Sequence, residues 1–445
     1  MRLFVIDERV TFKRCGVFGG NFEYSLNDYR GNGVNVKNTC VLSTKDNHTV
    51  EPPSAVEKYR LRLFQCSSVS AKPALSFEKQ QVNVASNVLR ASSKGNKAHH
   101  LPNGRFTNPW PSFTEHGLFD FLKLLPQWDR KGSKVPMESE RTVKVLGREN
   151  MNWSKIKQPD TSIIQATWLG HASFLIQMEG VNIFCDPVFE QRCSPMSFMG
   201  PARFTPPACT LAELRAEIKI DVCIISHNHY DHLETTSIAA LGPDVQFFVP
   251  LKNKAWFDNY KLPHVYELDW WDKHELKFAD GRMLEIVCTP CQHFSGRGLH
   301  DRMSTLWAGW AVLGQKHGKH FYFGGDTGYR SVSADGSSSS TCPVFKEIGT
   351  ELGPFDLSCI PIGAYSPRPF MSPVHLAPED SVEVHKDVKS QFSVGMHWGT
   401  FVLTDEPVNE PPQRLRKAMD AAGLSHDDFV TVAIGETVTS NRVKE

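Results

Sequence analysis

Charge of one sign is the first thing this 445-residue chain lacks: Lys and Arg together number 49, and so do Asp and Glu. The balance removes long-range attraction to nucleic acid or to an acidic membrane as a general property, while a local basic face stays open. Long hydrophobic runs are missing too. No stretch approaches the roughly 18 apolar residues that cross a bilayer, so any membrane role is peripheral. The opening run Met1-Arg2-Leu3-Phe4-Val5-Ile6 is broken by Asp7 and Glu8, too early for a secretory signal or a transit peptide, which predicts an intracellular protein. The eleven cysteines are odd in number and scattered, with Cys223 and Cys359 inside apolar runs, so reduced core thiols are predicted in place of a disulfide framework. Cys288-Thr289-Pro290-Cys291 has the C-x-x-C spacing of a redox or structural-metal pair, but no second pair lies in range. Internal repeats are absent as well.

Aromatic anchors are scarce between Ser67 and His100. Residues 1–104 are rich in Ser, Asn and Lys with weak periodicity, which predicts a low-complexity, disordered extension before a folded domain over 105–445. The character changes at Asn108-Pro109-Trp110-Pro111, and the apolar residues from Phe113 to Leu125 predict a short helix. It either packs on the domain or faces lipid. Beyond it, short apolar runs bounded by turn signals predict strands at 163–169, 174–178, 181–185, 222–225, 247–249, 284–288, 321–323 and 357–360. Helices are predicted at 211–219, 378–388 (Pro in its first turn) and 412–422 (Gly423 as its cap). Strands dominate with helices between them, which points to an α/β or α+β sandwich with helices outside. Asp335-Gly336 and the four serines that follow read as a surface insertion.

What the chain does have is His227-Asn228-His229-Tyr230-Asp231-His232, three imidazoles and a carboxylate in six residues just after a buried apolar run. In an extended turn His227 and His229 project the same way, and Asp231 and His232 follow around the bend toward a second ion. Imidazole with a carboxylate suits zinc best, and iron and manganese accept the same set. Three later segments end strands with the right side chains. They are the run through Thr289-Pro290 to His293, Phe321-Tyr322-Phe323-Gly324-Gly325-Asp326, and Ser393-Val394-Gly395-Met396-His397. The two glycines before Asp326 let backbone approach a crowded centre.

H-x-H-x-D-H with separate His, Asp and His positions resembles the metallo-β-lactamase superfamily. The likeness narrows with Asn108-Pro109-Trp110-Pro111, Trp168-Leu169-Gly170-His171-Ala172, Asp186-Pro187, Met199-Gly200-Pro201, Glu267-Leu268-Asp269-Trp270-Trp271, Gly325-Asp326-Thr327-Gly328-Tyr329, Ile362-Gly363-Ala364-Tyr365 and His397-Trp398-Gly399-Thr400-Phe401. Together these are similar to the N-acylphosphatidylethanolamine-hydrolysing phospholipase D family, from about residue 104 to the C-terminus. The resemblance implies an α/β fold, the metallo-β-lactamase αβ/βα four-layer sandwich, with two Zn2+ ions at one edge. It implies His227, His229 and His293 on the first ion, Asp231, His232 and His397 on the second, and Asp326 bridging. Water activated between the ions is the implied nucleophile on phosphorus. His375 is a candidate proton donor to the leaving oxygen, with Asp231 and Asp326 beside it as catalytic carboxylates, and His171 is read as support. The implied substrate is N-acylphosphatidylethanolamine, cleaved to N-acylethanolamine and phosphatidic acid by a peripheral membrane protein, a homodimer in the family.

Trp256, Phe198 and Met199 are the substrate-contact candidates, and Ser197-Phe198 departs from the more polar pair of the family. Two other readings stand beside this one: a hydrolase of the same fold acting on a soluble ester, lactone or phosphodiester, and a non-catalytic lipid-binding protein. The absence of a basic stripe argues against a nucleic-acid partner.

Overall fold

The computed structural model describes residues 12–18, 21–26, 39–42, 86–89, 97–117, 134–196, 198–298 and 300–441. Two compact units divide the chain, Met1–Glu78 and Lys79–Glu445. In the first, β1 (Phe12–Phe18), β2 (Asn21–Leu26) and β3 (Thr39–Leu42) form a small antiparallel sheet. Apart from these strands, 86–89 and 97–104, the predicted disordered extension lies outside the described residues, as does most of the predicted apolar helix between Phe113 and Leu125.

The second unit begins before residue 105. Within it β4 (Ser86–Leu89) pairs with a later strand, and His99 and Phe106 are buried. A few aromatic and imidazole anchors fix this approach segment, too few to stand out in its composition. The other strands are β5 (Gln165–Gly170), β6 (Ser173–Met178), β7 (Val181–Cys185), β8 (Val222–Ile224), β9 (Gln246–Pro250), β10 (Val265–Leu268), β11 (Lys273–Lys277), β12 (Met283–Thr289), β13 (Gly309–Gly314), β14 (His320–Phe323), β15 (Leu357–Pro361), β16 (Ser393–Met396), β17 (Phe429–Val430) and β18 (Thr437–Thr439). They form a seven-stranded sheet, β10-β9-β8-β7-β6-β5-β18, and an eight-stranded sheet, β17-β16-β15-β14-β13-β12-β11-β4.

Each sheet is half antiparallel meander and half parallel. β5, β6 and β7 alternate in direction, then β7 to β10 run parallel; β11 to β14 alternate, then β14 to β17 run parallel. The parallel halves send β7, β8, β14 and β16 to common edges with their C-terminal ends, and this is what gathers the candidate ligands. β5 and β6 are buried along their whole length, as strands are when both faces of a sheet are covered, and one apolar cluster joins residues of both sheets. This is the metallo-β-lactamase sandwich. β10 and β11 escape the run-based reading because Tyr266, Glu267, Lys273 and Glu275 interrupt their apolar positions.

Helices form where their ends are satisfied. Leu211–Glu217 starts in a capping box, with Thr210 Oγ1 accepting from the Glu213 amide and Glu213 Oε2 accepting from the Thr210 amide at 2.8 Å. Pro378–Asp387 opens on Pro378 with Glu379 and Asp380 in its first turn, and Glu410–Ala422 stops at Gly423, whose φ of 66° is left-handed. The eight described cysteines from Cys185 to Cys359 are free and buried, Cys288 and Cys291 included. No helix among the described residues is long and apolar enough to cross a membrane.

Candidate metal centre

The first half of the centre hangs from β8. After Ile225 and Ser226 the chain turns through His227, His229, Asp231 and His232, and the loop closes on itself through the His232 and Leu233 amides, both donating to the His229 carbonyl. The other half comes from the second sheet: His293 beyond β12, Asp326 after β14 and His397 directly after β16. Gly325 is required before Asp326, since its φ is 57° and a Cβ there would meet Ser226 Cβ at 2.8 Å and the Ala308 carbonyl at 2.9 Å. His397 itself takes φ 61°, a conformation non-glycine residues adopt at a cost and one often found at functional sites.

These side chains converge. His227 Nε2 lies 2.8 Å from His229 Nδ1, and His293 Nε2 lies 3.4 Å from the same atom, so three ring nitrogens face one point. Asp231 Oδ2 is 3.5 Å from His232 Nε2 and 3.4 Å from His397 Nε2, which defines a second point. Asp326 Oδ2 stands between them, 3.1 Å from both His232 Nε2 and His397 Nε2, 4.0 Å from His227 Nε2 and 3.8 Å from His293 Nε2. His232 Nε2, His397 Nε2 and Asp326 Oδ1 are buried without a hydrogen-bond partner. Polar atoms are seldom left so in an interior, and cations between the two triads would satisfy them. The residues therefore fit a two-metal site.

Electrostatics differ across the centre. Burial pushes His227 and His293 well below the ordinary imidazole range and His229 down to about 4, leaving a neutral first triad. Burial acts the same way on His232 and His397, but Asp326 and Asp231 overcome it, raising His232 well above its usual value and His397 to about 9. Burial alone would raise Asp326 and Asp231; the imidazoles around them hold both carboxyls well below their usual range.

A beta-lactamase superfamily domain model matches residues 181–398, a window that opens on β7 and closes just past His397. An N-acyl-phosphatidylethanolamine-hydrolyzing phospholipase D of Caenorhabditis elegans is 43% identical over 354 residues, covering 76% of this chain and 94% of that protein. This chain belongs to the N-acylphosphatidylethanolamine-hydrolysing phospholipase D family. It is a metal-dependent hydrolase of the metallo-β-lactamase superfamily. The mitochondrial enzyme of the same designation from Saccharomyces cerevisiae is 26% identical over 357 residues, 72% of each chain. An uncharacterized protein of Mycobacterium tuberculosis is 39% identical over 286 residues, 63% of this chain and 68% of that one.

Around the ligands, this family member carries supports whose roles the sequence motifs left unassigned. Asp186 directly follows β7, and because β7 and β8 run parallel in register it stands beside Ser226. Its carboxylate accepts from the Ser226 amide at 2.7 Å, from Ser226 Oγ at 2.5 Å and from His232 Nδ1 at 2.7 Å, which turns His232 Nε2 into the centre. Asn108 clamps the backbone of His293 from both sides, accepting from its amide at 3.1 Å and donating to its carbonyl at 2.7 Å. His293 Nδ1 donates to the Val374 carbonyl at 2.8 Å, leaving Nε2 for a metal. Arg297 donates to the carbonyls of Asn228 and Leu233 and is stacked between Tyr230 and Trp256, 4.4 and 4.5 Å from their ring centres. An acid placed just after a buried strand was the available signal for Asp186; Asn108 and Arg297 depend on contacts no local pattern records.

His171 Nε2 lies 2.8 Å from Asp231 Oδ2 and falls in one cluster of candidate donor atoms with Asp231, His232 and His397. His375 is brought to the rim: it is buried, its Nδ1 is 3.9 Å from Asp326 Oδ2, and burial pushes it down to about 4. Trp256 lines a cavity of about 740 Å³ together with Tyr230, Arg297, Tyr260 and Glu234. Phe198 and Met199 do not line it. They lie on a turn, 76% and 52% exposed.

Proposed function

We propose that this hydrolase is a two-zinc phospholipase D that cleaves N-acylphosphatidylethanolamine to N-acylethanolamine and phosphatidic acid. The observation that carries the reading is the 43% identity, spanning nearly all of it, to a relative named for that substrate. It is supported by seven converging ligand side chains, five imidazoles and two carboxylates, a donor set suited to zinc. Two zinc ions there would supply a deprotonated water at neutral pH and Lewis-acid polarisation of a phosphoryl oxygen.

In this reading the protein groups divide the remaining work. Asp326 faces both triads and fixes their separation. Asp231 is oriented by His171, so its second-triad oxygen keeps one direction through the reaction. His375, kept neutral by burial, offers a ring N–H at the rim to the phosphoryl or leaving oxygen. Trp256 lines the cavity beside the ligand loop, while exposed Phe198 and Met199, with Met196 39% exposed, suit contact with a lipid surface. The substrate is taken, in this reading, from a membrane the protein touches peripherally, and the family likeness adds a homodimer.

The test is to count zinc in the purified protein and incubate it with vesicles of N-acylphosphatidylethanolamine, wild type beside Asp326→Asn. Two zinc ions, with N-acylethanolamine and phosphatidic acid released by the wild type alone, are expected. Metal-loaded protein that ignores the vesicles but turns over a soluble ester or diester would sink the lipid assignment. Metal-free protein that still binds vesicles would sink catalysis altogether.

A further inference from the structure

A second group of metal-ligand side chains lies outside the catalytic centre. His99 and His100, adjacent on the approach segment, both direct Nε2 at the carboxylate of Asp269, the first residue after β10. His99 Nε2 is 2.7 Å from Asp269 Oδ1 and His100 Nε2 is 2.9 Å from Asp269 Oδ2. One atom from each residue falls within 4.8 Å of the other two. We propose that His99, His100 and Asp269 form a further zinc site that clips the approach segment to the turn after β10.

The donor set is right for the ion. Two imidazoles and a carboxylate are zinc ligands, and tetrahedral bonds of about 2.0–2.1 Å separate donor atoms by about 3.3 Å. The two histidine–carboxylate spacings, 2.7 and 2.9 Å, would open by about 0.6 and about 0.4 Å. The same contraction is seen in the catalytic centre, where His227 and His229 nitrogens stand 2.8 Å apart.

The rings are also fixed in advance. His99 stacks on Trp270 with centroids 4.3 Å apart, and His100 sets its edge against Phe106 at 5.1 Å. The turn is closed by the His100 amide on the Lys97 carbonyl at 2.8 Å, and the Thr107 amide bonds the His99 carbonyl at 2.9 Å. Asp269 is steadied by the Trp270 amide on Oδ1 at 2.9 Å, the outer-shell hydrogen bond that ligating carboxylates usually carry. Asp269 is 4% exposed, and while burial alone would raise its carboxyl, His99 and Lys97 hold it well below the ordinary range, as an anion.

Lys97 is the competitor. Its Nζ lies 3.1 Å from Asp269 Oδ2, but its side chain is 70% exposed and is free to swing into water when an ion arrives. The fourth zinc position falls to water. Beyond the clip, the same segment carries Asn108, which clamps the backbone of His293.

The full chain, freed of metal by a chelator, is titrated with Zn2+ and its zinc counted after gel filtration, wild type beside His100→Gln and Lys97→Ala. The wild type is expected to hold one more ion per chain than His100→Gln. Taking the difference cancels whatever number the catalytic centre holds, so failure of this site and failure of the two-zinc reading are told apart. Lys97→Ala is expected to keep the extra ion and bind it about fivefold tighter in competition with a chromogenic chelator, because the ammonium 3.1 Å from Asp269 Oδ2 has been removed. Equal zinc in all three proteins, with no change in affinity in Lys97→Ala, would overturn the site and leave a hydrogen-bonded clasp.

Discussion

The loop His227–His232 and the trio His293, Asp326 and His397 meet at one centre but are held there by different means. The loop is one piece of chain gripped by side chains: Asp186 through Ser226 and His232, Arg297 through two carbonyls, His171 through Asp231. The trio comes from three separate strand ends, each anchored on its own, His293 by Asn108 and His397 by its amide on the His171 carbonyl at 3.1 Å. Since the loop gives two side chains to each triad, a failure of its supports would reach both of the proposed ions. A failure behind one member of the trio stays local.

Asp326→Asn should break the contrast most completely, because Asp326 alone faces both triads: loss of both ions and of several kcal/mol of transition-state stabilisation, about 10³-fold or more in rate, is expected. A variant that kept two metals and a tenth of the rate would remove the bridging role proposed for Asp326. Asp186→Asn sharpens the loop side. Weakening of roughly 10- to 100-fold is expected in metal titrations, for both ions and not for one. Asn108→Ala tests the trio side, since it strands the His293 amide and carbonyl, at about 1–3 kcal/mol per unsatisfied group. Its expected signature is a weakened first-triad ion beside an unchanged second, resolved by sequential metal titration.

An effect confined to stability lies in the second sheet away from the centre, at His274 on β11. This imidazole is fully buried between Phe248 and Tyr266, and neither ring nitrogen has a hydrogen-bond partner. Burial pushes it down to about 4 from an ordinary 6.5. Below 6.5 the unfolded chain takes a proton that the folded chain refuses, so stability falls as pH drops from 6.5 toward 4, by about 3 kcal/mol at most, and is unaffected above. His274→Phe should leave metal content unchanged and flatten denaturant midpoints between pH 7 and 5. A steeper acid loss in the variant would contradict this.

Legibility followed the same division. The ligand loop reads directly because its four donors are contiguous, and the trio reads only as three strand ends whose joint meaning depends on topology. The strands with unbroken apolar runs, such as β6 and β7, were visible; β10 and β11 were hidden by their polar alternation, and β13 by the glycines that bound it. Asp186, Asn108 and Arg297 act across tens to hundreds of residues of chain, and no spacing rule records such contacts. The approach segment shows the converse: a polar composition suggested no fold, yet His99, His100 and Phe106 are enough to dock it.

The placement of ligands on two different sheets has a consequence for the layers themselves. Each triad draws on both: His227 and His229 from one sheet with His293 from the other, Asp231 and His232 from one with His397 from the other. Elsewhere the layers are joined by apolar contact, which water composition and temperature alter only gradually. With ions held in both triads, the join at this edge would be coordination bonds, and its strength would be set by free metal through mass action and by ligand protonation through acidity. Under the proposed two-metal reading, chelation should part the sandwich first at this edge, and metal supply would then bear on the integrity of the fold as well as on its chemistry.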